Sequence, residues 1–217
     1  FVDRLELQSR GKPIEIRDYQ FDAVCEGLHR KRAVLISPTG SGKSLIIYTL
    51  VQRYLLSLRK ANRKVLVIVP TTSLVEQMYN DFADYGMPVE DCVHRIYSGR
   101  DKETDKEIII STWQSIYKLP PKWFEQFGAV IGDECHGFKS KSLTTIMDKC
   151  KEAEYRWGTT GTLDGSQTHE LVLQGLFGKI YNVTTTKKLQ DEDTLAKLKI
   201  SILLLKYDEE IRRNWGK

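Results

Sequence analysis

Long apolar runs are missing from this sequence. Its richest stretches, Val65–Val69 and Ile200–Leu205, fall far short of the roughly twenty apolar residues that a membrane-spanning helix needs. No membrane partner is expected. No secretory signal pattern opens the chain. Cysteine is sparse: four residues, at 25, 92, 135 and 150, with no Cys-x-x-Cys. That spacing excludes a cysteine-based zinc module and fits free thiols in a reducing compartment. Together these absences predict a cytoplasmic protein. A dominant charge is lacking too. Thirty-three Lys and Arg stand against 29 Asp and Glu, a net charge of +4 over 217 residues. Such a mild excess permits a polyanionic partner without demanding one. No internal repeat occurs. No initiator Met precedes Phe1, so a piece of a longer protein is expected.

What is present has the balance of a folded domain, with 41% hydrophobic and 29% charged residues. The length suits one ordinary domain and a short extra segment. Ala33–Ile36, Val65–Val69, Ile108–Ile110 and Ala129–Ile131 are short runs rich in Val and Ile. Continuous runs of this kind suit strands buried on both faces of a parallel sheet. Helical spacing appears between them: Tyr19–Leu28, Leu45 to Leu58, and Leu74, Val75, Met78 and Phe82. Alternating strand and helix predict an α/β fold with a mainly parallel sheet flanked by helices. Arg100–Glu107 is charged and reads as an exposed loop. Near residue 180 the texture changes: 182–188 is polar and Thr-rich, 190–193 is acidic, and Ile200–Leu205 reads as one more strand. The expected division is residues 1–12 as the end of a preceding segment, 13–182 as the nucleotide-binding domain, and 183–217 as a linker or the start of a second domain.

Residues 37–44 read Ser-Pro-Thr-Gly-Ser-Gly-Lys-Ser, after a strand and before a helix. This is the context of a Walker A phosphate loop. Thr39, Gly40, Ser41, Gly42, Lys43 and Ser44 are expected to cradle the phosphates of ATP. Gly40 and Gly42 let successive amides turn toward one phosphate, and the helix start adds its positive end. Lys43 is placed for the β- and γ-phosphates and Ser44 for Mg²⁺. Ser37 stands where the first glycine is usual. The plain alternative, a Gly/Ser turn before a lysine, does not account for the flanking strand and helix.

Ala129 to Glu134 is a buried strand that ends in two acids. The carboxyl end of a neighbouring strand lies beside such a loop at the sheet's binding crevice. Asp133 is expected to hold Mg²⁺, and Glu134 to orient and deprotonate the attacking water. Lys43, Asp133 and Glu134 are thus the catalytic candidates. A solvated acidic turn is the alternative, and pairing with the loop argues against it.

Asp133-Glu134-Cys135-His136 resembles motif II of superfamily two helicases of the DEAH-like type. Other motifs of that family's first RecA-like domain follow in order. Arg17-Asp18-Tyr19-Gln20 resembles the adenine-recognising element. Pro70 to Gln77 resembles motif Ia, Ser111 to Ser115 motif Ib, and Gly158 to Thr162 motif III. The resemblance runs from about residue 13 to 180. It implies that Gln20 reads the adenine edge and that Arg17 lies at the base. It implies that Thr71, Thr72 and Thr112 touch strand phosphates, which fixes register rather than sequence. It implies that His136, Thr160 and Thr162 couple the nucleotide site to the strand surface. Gly158-Thr-Thr-Gly-Thr departs from the common Ser-Ala-Thr of motif III, which bears only on the coupling role. Trp113 suits either stacking on a base or packing in a core or between domains.

Other features read blandly. His29-Arg30-Lys31-Arg32 complements the negative end of a helix. Trp123, Phe124 and Phe127 pack a short helix on the sheet. Cys135 is a small buried residue, and His94 and His169 receive no role.

The resemblance implies an ATP-dependent helicase or translocase acting on DNA, single-stranded or branched, in recombination and repair, with RNA as a second track. It also implies completion by a second RecA-like domain of the same full-length chain, which carries the arginine finger. A second reading is a nucleotide-gated nucleic-acid clamp without turnover, against which Glu134 argues. A small-molecule P-loop kinase ranks last, because it needs no motif Ia or Ib.

Overall fold

The computed structural model describes residues 6–59, 62–139, 141–163, 165–197, 201 and 203, the side chains of 138 and 139 excepted. A two-stranded antiparallel ribbon, β1 (Gln8–Ser9) and β2 (Lys12–Pro13), precedes helix α1 (Asp18–Arg30). Strand β3 (Arg32–Ile36) leads to α2 (Lys43–Arg53), which continues as a π-turn, Tyr54–Leu58. Then come β4 (Lys64–Val69), α3 (Thr72–Asp84), α4 (Val89–Cys92) and β5 (Val93–Ile96). They are followed by β6 (Ile108–Thr112), α5 (Trp113–Ile116), α6 (Pro121–Phe124) and β7 (Phe127–Asp133). Beyond a 3₁₀ turn, Cys135–Lys139, lie α7 (Lys141–Lys149), β8 (Tyr155–Thr160), α8 (Gln167–Phe177), β9 (Lys179–Asn182) and α9 (Thr186–Asp191). The strand expected at 200–205 lies outside the described residues, 201 and 203 apart.

Seven strands form one sheet in the order β5-β6-β4-β7-β8-β3-β9, and every neighbouring pair is parallel. The expected α/β architecture is therefore present. Alternate residues of each strand go to opposite faces. Ala33, Leu35, Val65, Val67, Ala129 and Ile131 join one core, under α1, α2 and α3. Val34, Leu66, Ile68, Ile109 and Val130 join the other, under the α5–α8 side. Two covered faces explain why these strands read as unbroken apolar runs. Among the described residues no helix is long and apolar enough to cross a membrane.

The structure differs from expectation in three places. Phe127 opens strand β7 rather than extending the α6 helix, because its ring fills the second core beside Trp123. Strands β5, β8 and β9 carry too few Val or Ile residues to announce themselves. Val183, from the Thr-rich stretch, and Leu189, just after it, are buried in the first core. The basic run ends α1: His29 and Arg30 occupy its last turn and Lys31 its left-handed C-cap.

Parallel strands gather all their carboxyl ends on one rim, and β8 packs there at very close range. A Cβ at Gly158 would lie 2.9 Å from Cys135 Sγ and 3.1 Å from Phe177 Cγ, both fully buried. Gly158→Ala is expected to cost about 1–3 kcal/mol through overpacking. Gly175→Ala, in α8 with open space around it, should instead gain about 0.4–1 kcal/mol by restricting the unfolded chain. Chemical denaturation of both variants checks the pair, and equal effects would contradict the packing argument.

Candidate active site

The rim at the carboxyl ends of β3 and β7 holds the loop and both acids. After β3, Ser37 extends the sheet by donating its amide to Thr160 O at 2.8 Å. Gly40 and Gly42 take φ of +81° and +77°, values that favour residues without Cβ. At Gly42 a Cβ would also lie 2.4 Å from Gln20 Nε2. Gly42 is the N-cap of α2, whose first turn carries no acid, so the helix presents its positive end to the loop. Ser37 contributes a contact that glycine could not: its hydroxyl lies 2.5 Å from Ser41 Oγ, inside the loop.

α1 braces the loop from beneath. Tyr19 Oη and Gln20 Nε2 both donate to Ser41 O, at 3.1 and 2.9 Å. Gln20 Oε1 accepts from the Arg17 amide at 3.0 Å. Gln20 is 4% exposed and ties the helix start to the loop, with one amide hydrogen and one carbonyl lone pair left over. Arg17 is exposed, and its guanidinium donates to Tyr19 Oη at 3.1 Å. Thr39 and Gly40 are exposed on the loop, while Ser41 is fully buried.

The acids meet Lys43. Asp133 is the last residue of β7 and is 7% exposed. Thr159 Oγ1, from neighbouring β8, donates to Asp133 Oδ1 at 2.8 Å. Burial pushes the Asp133 carboxyl above its ordinary range, against the opposing pull of Lys43 and the Thr159 hydrogen bond. Glu134 takes φ of +50°. The chain turns at that point, so the next carboxylate reaches the same site rather than the opposite face. Lys43 Nζ contacts Glu134 Oε1 and stands 3.9 Å from Asp133 Oδ1.

From Glu134 a chain of contacts runs into the residues expected to couple. His136 Nδ1 lies 3.3 Å from Glu134 Oε2 and 3.0 Å from Thr160 Oγ1. Thr160 Oγ1 spends its proton on Thr162 O at 2.9 Å. It must therefore accept from His136, which assigns the proton to Nδ1. The Thr162 amide lies 3.4 Å from the same hydroxyl. His169, buried in α8, donates from Nε2 to His136 O at 2.9 Å. Cys135 is fully buried and its thiol is pushed far up by burial, which excludes it as a nucleophile.

A cavity of about 320 Å³ opens between this loop and α3. Lys43, Ser44, Asp133 and Glu134 line one side; Leu74, Gln77, Met78 and Asp81 line the other. The second set, spaced at i, i+3, i+4 and i+7, is one helix face. Sequence reasoning placed the apolar members on that face and named Gln77 only as the end of the motif Ia resemblance. Gln77 and Asp81 interrupting an otherwise apolar stripe were the available signal. Tyr85, one turn further on, meets Ser44 Oγ at 2.8 Å through its Oη. Thr159 lies within the motif III resemblance, but its hold on Asp133 was missed; His169 was missed as well, and no local pattern marks it.

The threonines expected to face a strand sit on the next stretch of rim. Thr71 and Thr72 are exposed at the start of α3, where Thr71 is the N-cap and accepts from the Leu74 amide at 3.3 Å. Thr112 ends adjacent β6 and pairs in register with Val69. It is 5% exposed, and its hydroxyl meets Ser115 Oγ at 2.9 Å. Gln114 Nε2 donates to Pro70 O at 3.4 Å and joins the two loops. Trp113 is half-buried against the second core, edge-on to Tyr117 at 5.9 Å.

Comparison with known proteins places the chain among helicase-type relatives. The family described as "Type III restriction enzyme, res subunit" matches residues 13–165. The "ATP-dependent DNA helicase uvsW" of Enterobacteria phage T4 is 36% identical over 214 residues, 97% of this chain and 42% of that protein. The "DNA 3'-5' translocase XPB2" of Sulfurisphaera tokodaii is 27% identical over 217 residues, 99% of this chain and 46% of that protein. The chain thus spans less than half of these relatives. The crystal structure of the UvsW helicase from bacteriophage T4 superposes with a TM-score of 0.75 at 37% identity, covering 83% of this chain and 64% of that one. The Pyrococcus furiosus Hef helicase domain, at 21% identity and a TM-score of 0.66 over 78% of this chain and 39% of that one, shares the fold.

The Asp133 geometry has a consequence for stability. An acid whose folded pKa is raised favours the fold below its unfolded pKa, and loses that contribution as pH rises through the folded value. Asp133→Asn keeps an oxygen for Thr159 and removes the buried charge. It should therefore melt a few degrees above the parent at pH 7, with the gap narrowing as pH falls through the raised folded value and gone by about pH 4, the unfolded Asp value. Thermal denaturation across pH measures this, and a gap that widens on acidification would contradict it.

Proposed function

This chain belongs to the type III restriction enzyme, res subunit, family, and on that premise we propose that it is the nucleotide-binding RecA-like half of an ATP-driven helicase or translocase acting on DNA. The observation that carries the reading is Lys43 standing between the Asp133 and Glu134 carboxylates above a glycine loop. Lys43 would hold the β- and γ-phosphates in exchange for Glu134. Ser44 and Asp133 would hold Mg²⁺. Their fit is supported by the buried Asp133 carboxylate and by the Ser44 hydroxyl on the same cavity. When bound, Mg²⁺ neutralises charge on the phosphate oxygens. Glu134, released from Lys43, would orient the attacking water and take its proton as the oxygen meets the γ-phosphorus and ADP leaves. Arg17 and Gln20 would border the adenine, with Gln20 also bracing the loop.

Thr71 and Thr72 offer exposed hydroxyls to a strand's phosphates, and Thr112 supports them from the rim. The Glu134–His136–Thr160–Thr162 chain supports coupling, because a change at Glu134 is passed by contact to the β8 loop. DNA is favoured as the track because both relatives are named for it. A second RecA-like domain, in the length by which those relatives exceed this chain, would close over the nucleotide and supply an arginine finger.

Two measurements test the reading. Lys43→Ala should abolish binding of a fluorescent ATP analogue to this chain; unchanged affinity would refute the phosphate assignment. In the full-length protein, steady-state ATPase should rise strongly with single-stranded, duplex or branched DNA and vanish in Glu134→Gln. Stimulation by RNA alone would move the track, and no stimulation by any polymer would leave a nucleotide-gated clamp.

A further inference from the structure

A second cavity, of about 400 Å³, has residues 15–19 as its inner wall, where the chain enters α1. Its outer wall comes from two residues outside every motif, Lys188 in α9 and Glu192 just after it. The topology brings this cavity to the phosphate loop. Strand β9 is a parallel partner of β3, with Asn182 in register with Ile36, and the Val183 amide donates to Ile36 O at 2.8 Å. The loop leaves one strand end and the α9 segment leaves its neighbour at the same rim. Both walls touch the loop. Tyr19 Oη, from the inner wall, donates to Ser41 O at 3.1 Å. Beyond Glu192 the chain turns back: the Thr194 and Leu195 amides donate to Leu189 O at 2.9 and 3.0 Å. Leu195 Cδ1 then sits 2.8 Å from where a Cβ on Gly40 would stand.

The cavity has the ordinary size of a small-molecule pocket, and its charges say what it would take. Glu15, Asp18 and Glu192 stand against Arg17 and Lys188. A lining with more acids than bases disfavours phosphate, unlike the loop beside it. It suits an uncharged group that carries both donors and acceptors. Lys188 can only donate and ionised Glu192 can only accept. They stand 3.9 Å apart, too far for a hydrogen bond, so each keeps its capacity for a ligand. Their backbone is held: Leu189 between them is buried in the first core, and the Lys188 amide donates to Thr185 Oγ1 at 3.2 Å. We propose that Lys188 and Glu192 are nucleoside-binding residues, which close the base-and-ribose subsite from its outer side. Lys188 donates to acceptors of the nucleoside, and Glu192 accepts from its hydroxyl or amine hydrogens. A segment expected from sequence to be a linker thus becomes part of the site. This rests on the reading of the loop as a nucleotide site.

Isothermal titration of ADP and of inorganic pyrophosphate into this chain separates nucleoside contacts from phosphate contacts. Lys188→Ala and Glu192→Ala truncate exposed side chains and keep the fold. Each should weaken ADP binding several-fold and leave pyrophosphate affinity unchanged. Charge acting at a distance has a different pattern: Glu192→Ala would strengthen both ligands and Lys188→Ala would weaken both. Equal changes in the two ligands would therefore overturn the proposal, as would unchanged ADP affinity in either variant. Lys43→Ala is the reference and should lose both ligands. If it does so while the α9 variants behave like the parent, the nucleotide reading stands and the nucleoside wall is wrong. If Lys43→Ala changes neither affinity, the nucleotide reading itself fails, and the proposal with it.

Discussion

One ammonium group between two carboxylates governs the site. Lys43 leaves the carboxyl end of β3, while Asp133 and Glu134 leave that of β7, and β8 lies between the two strands. That spacing sets the reach. Its consequences extend outward: Asp133 lies buried at the strand end, and Glu134 turns through a positive φ to share the lysine. Burial raises the pKa of Asp133, a cost in stability that places a charge where a cation would offset it. The Lys43–Glu134 contact is partly buried, with side-chain exposures of 17% and 31%, so a phosphate arriving at Lys43 meets a real competitor.

β8 is more than a spacer. Its last two residues divide the work: Thr159 holds Asp133, and Thr160 accepts from His136 while receiving the Ser37 amide on its carbonyl. The loop, the acids and the β8 end are thereby tied into one set of hydrogen bonds. α3 forms the opposite wall. It is about 20 Å long by its 13 residues, and joins an exposed threonine N-terminus to the residues around Ser44. Two sets of contacts thus lead from the cavity to the outer rim, one through His136 and one through α3.

Much of this was legible in the sequence, and the gaps have physical reasons. The four strands with continuous Val and Ile runs are those flanked on both faces by helices. β5 reads Val-His-Arg-Ile because it is an edge strand whose Arg95 packs on α3, over the Tyr79 ring and against Glu76. β8 reads Tyr-Arg-Trp-Gly-Thr-Thr because its buried positions are matched to specific neighbours. Trp157 donates to Gly27 O at 2.8 Å, and Gly158 leaves room for Cys135. Neither choice leaves a hydrophobic period. The loop and the acidic box were visible because their chemistry requires fixed residue types at fixed spacing. The roles of Tyr85, Thr159 and His169 were not, because each acts through a contact that only folding creates.

On the proposed reading, Lys43 is shared between Glu134 and an incoming phosphate. Isothermal titration of a non-hydrolysable ATP analogue into the parent and Glu134→Gln tests it without any turnover. Removing the carboxylate frees the ammonium and takes a negative charge away from the phosphates. The variant should therefore bind several-fold more tightly, a gain on the order of 1 kcal/mol. Equal or weaker binding would show that the Lys43–Glu134 contact does not oppose the nucleotide, and the account built on it would be wrong.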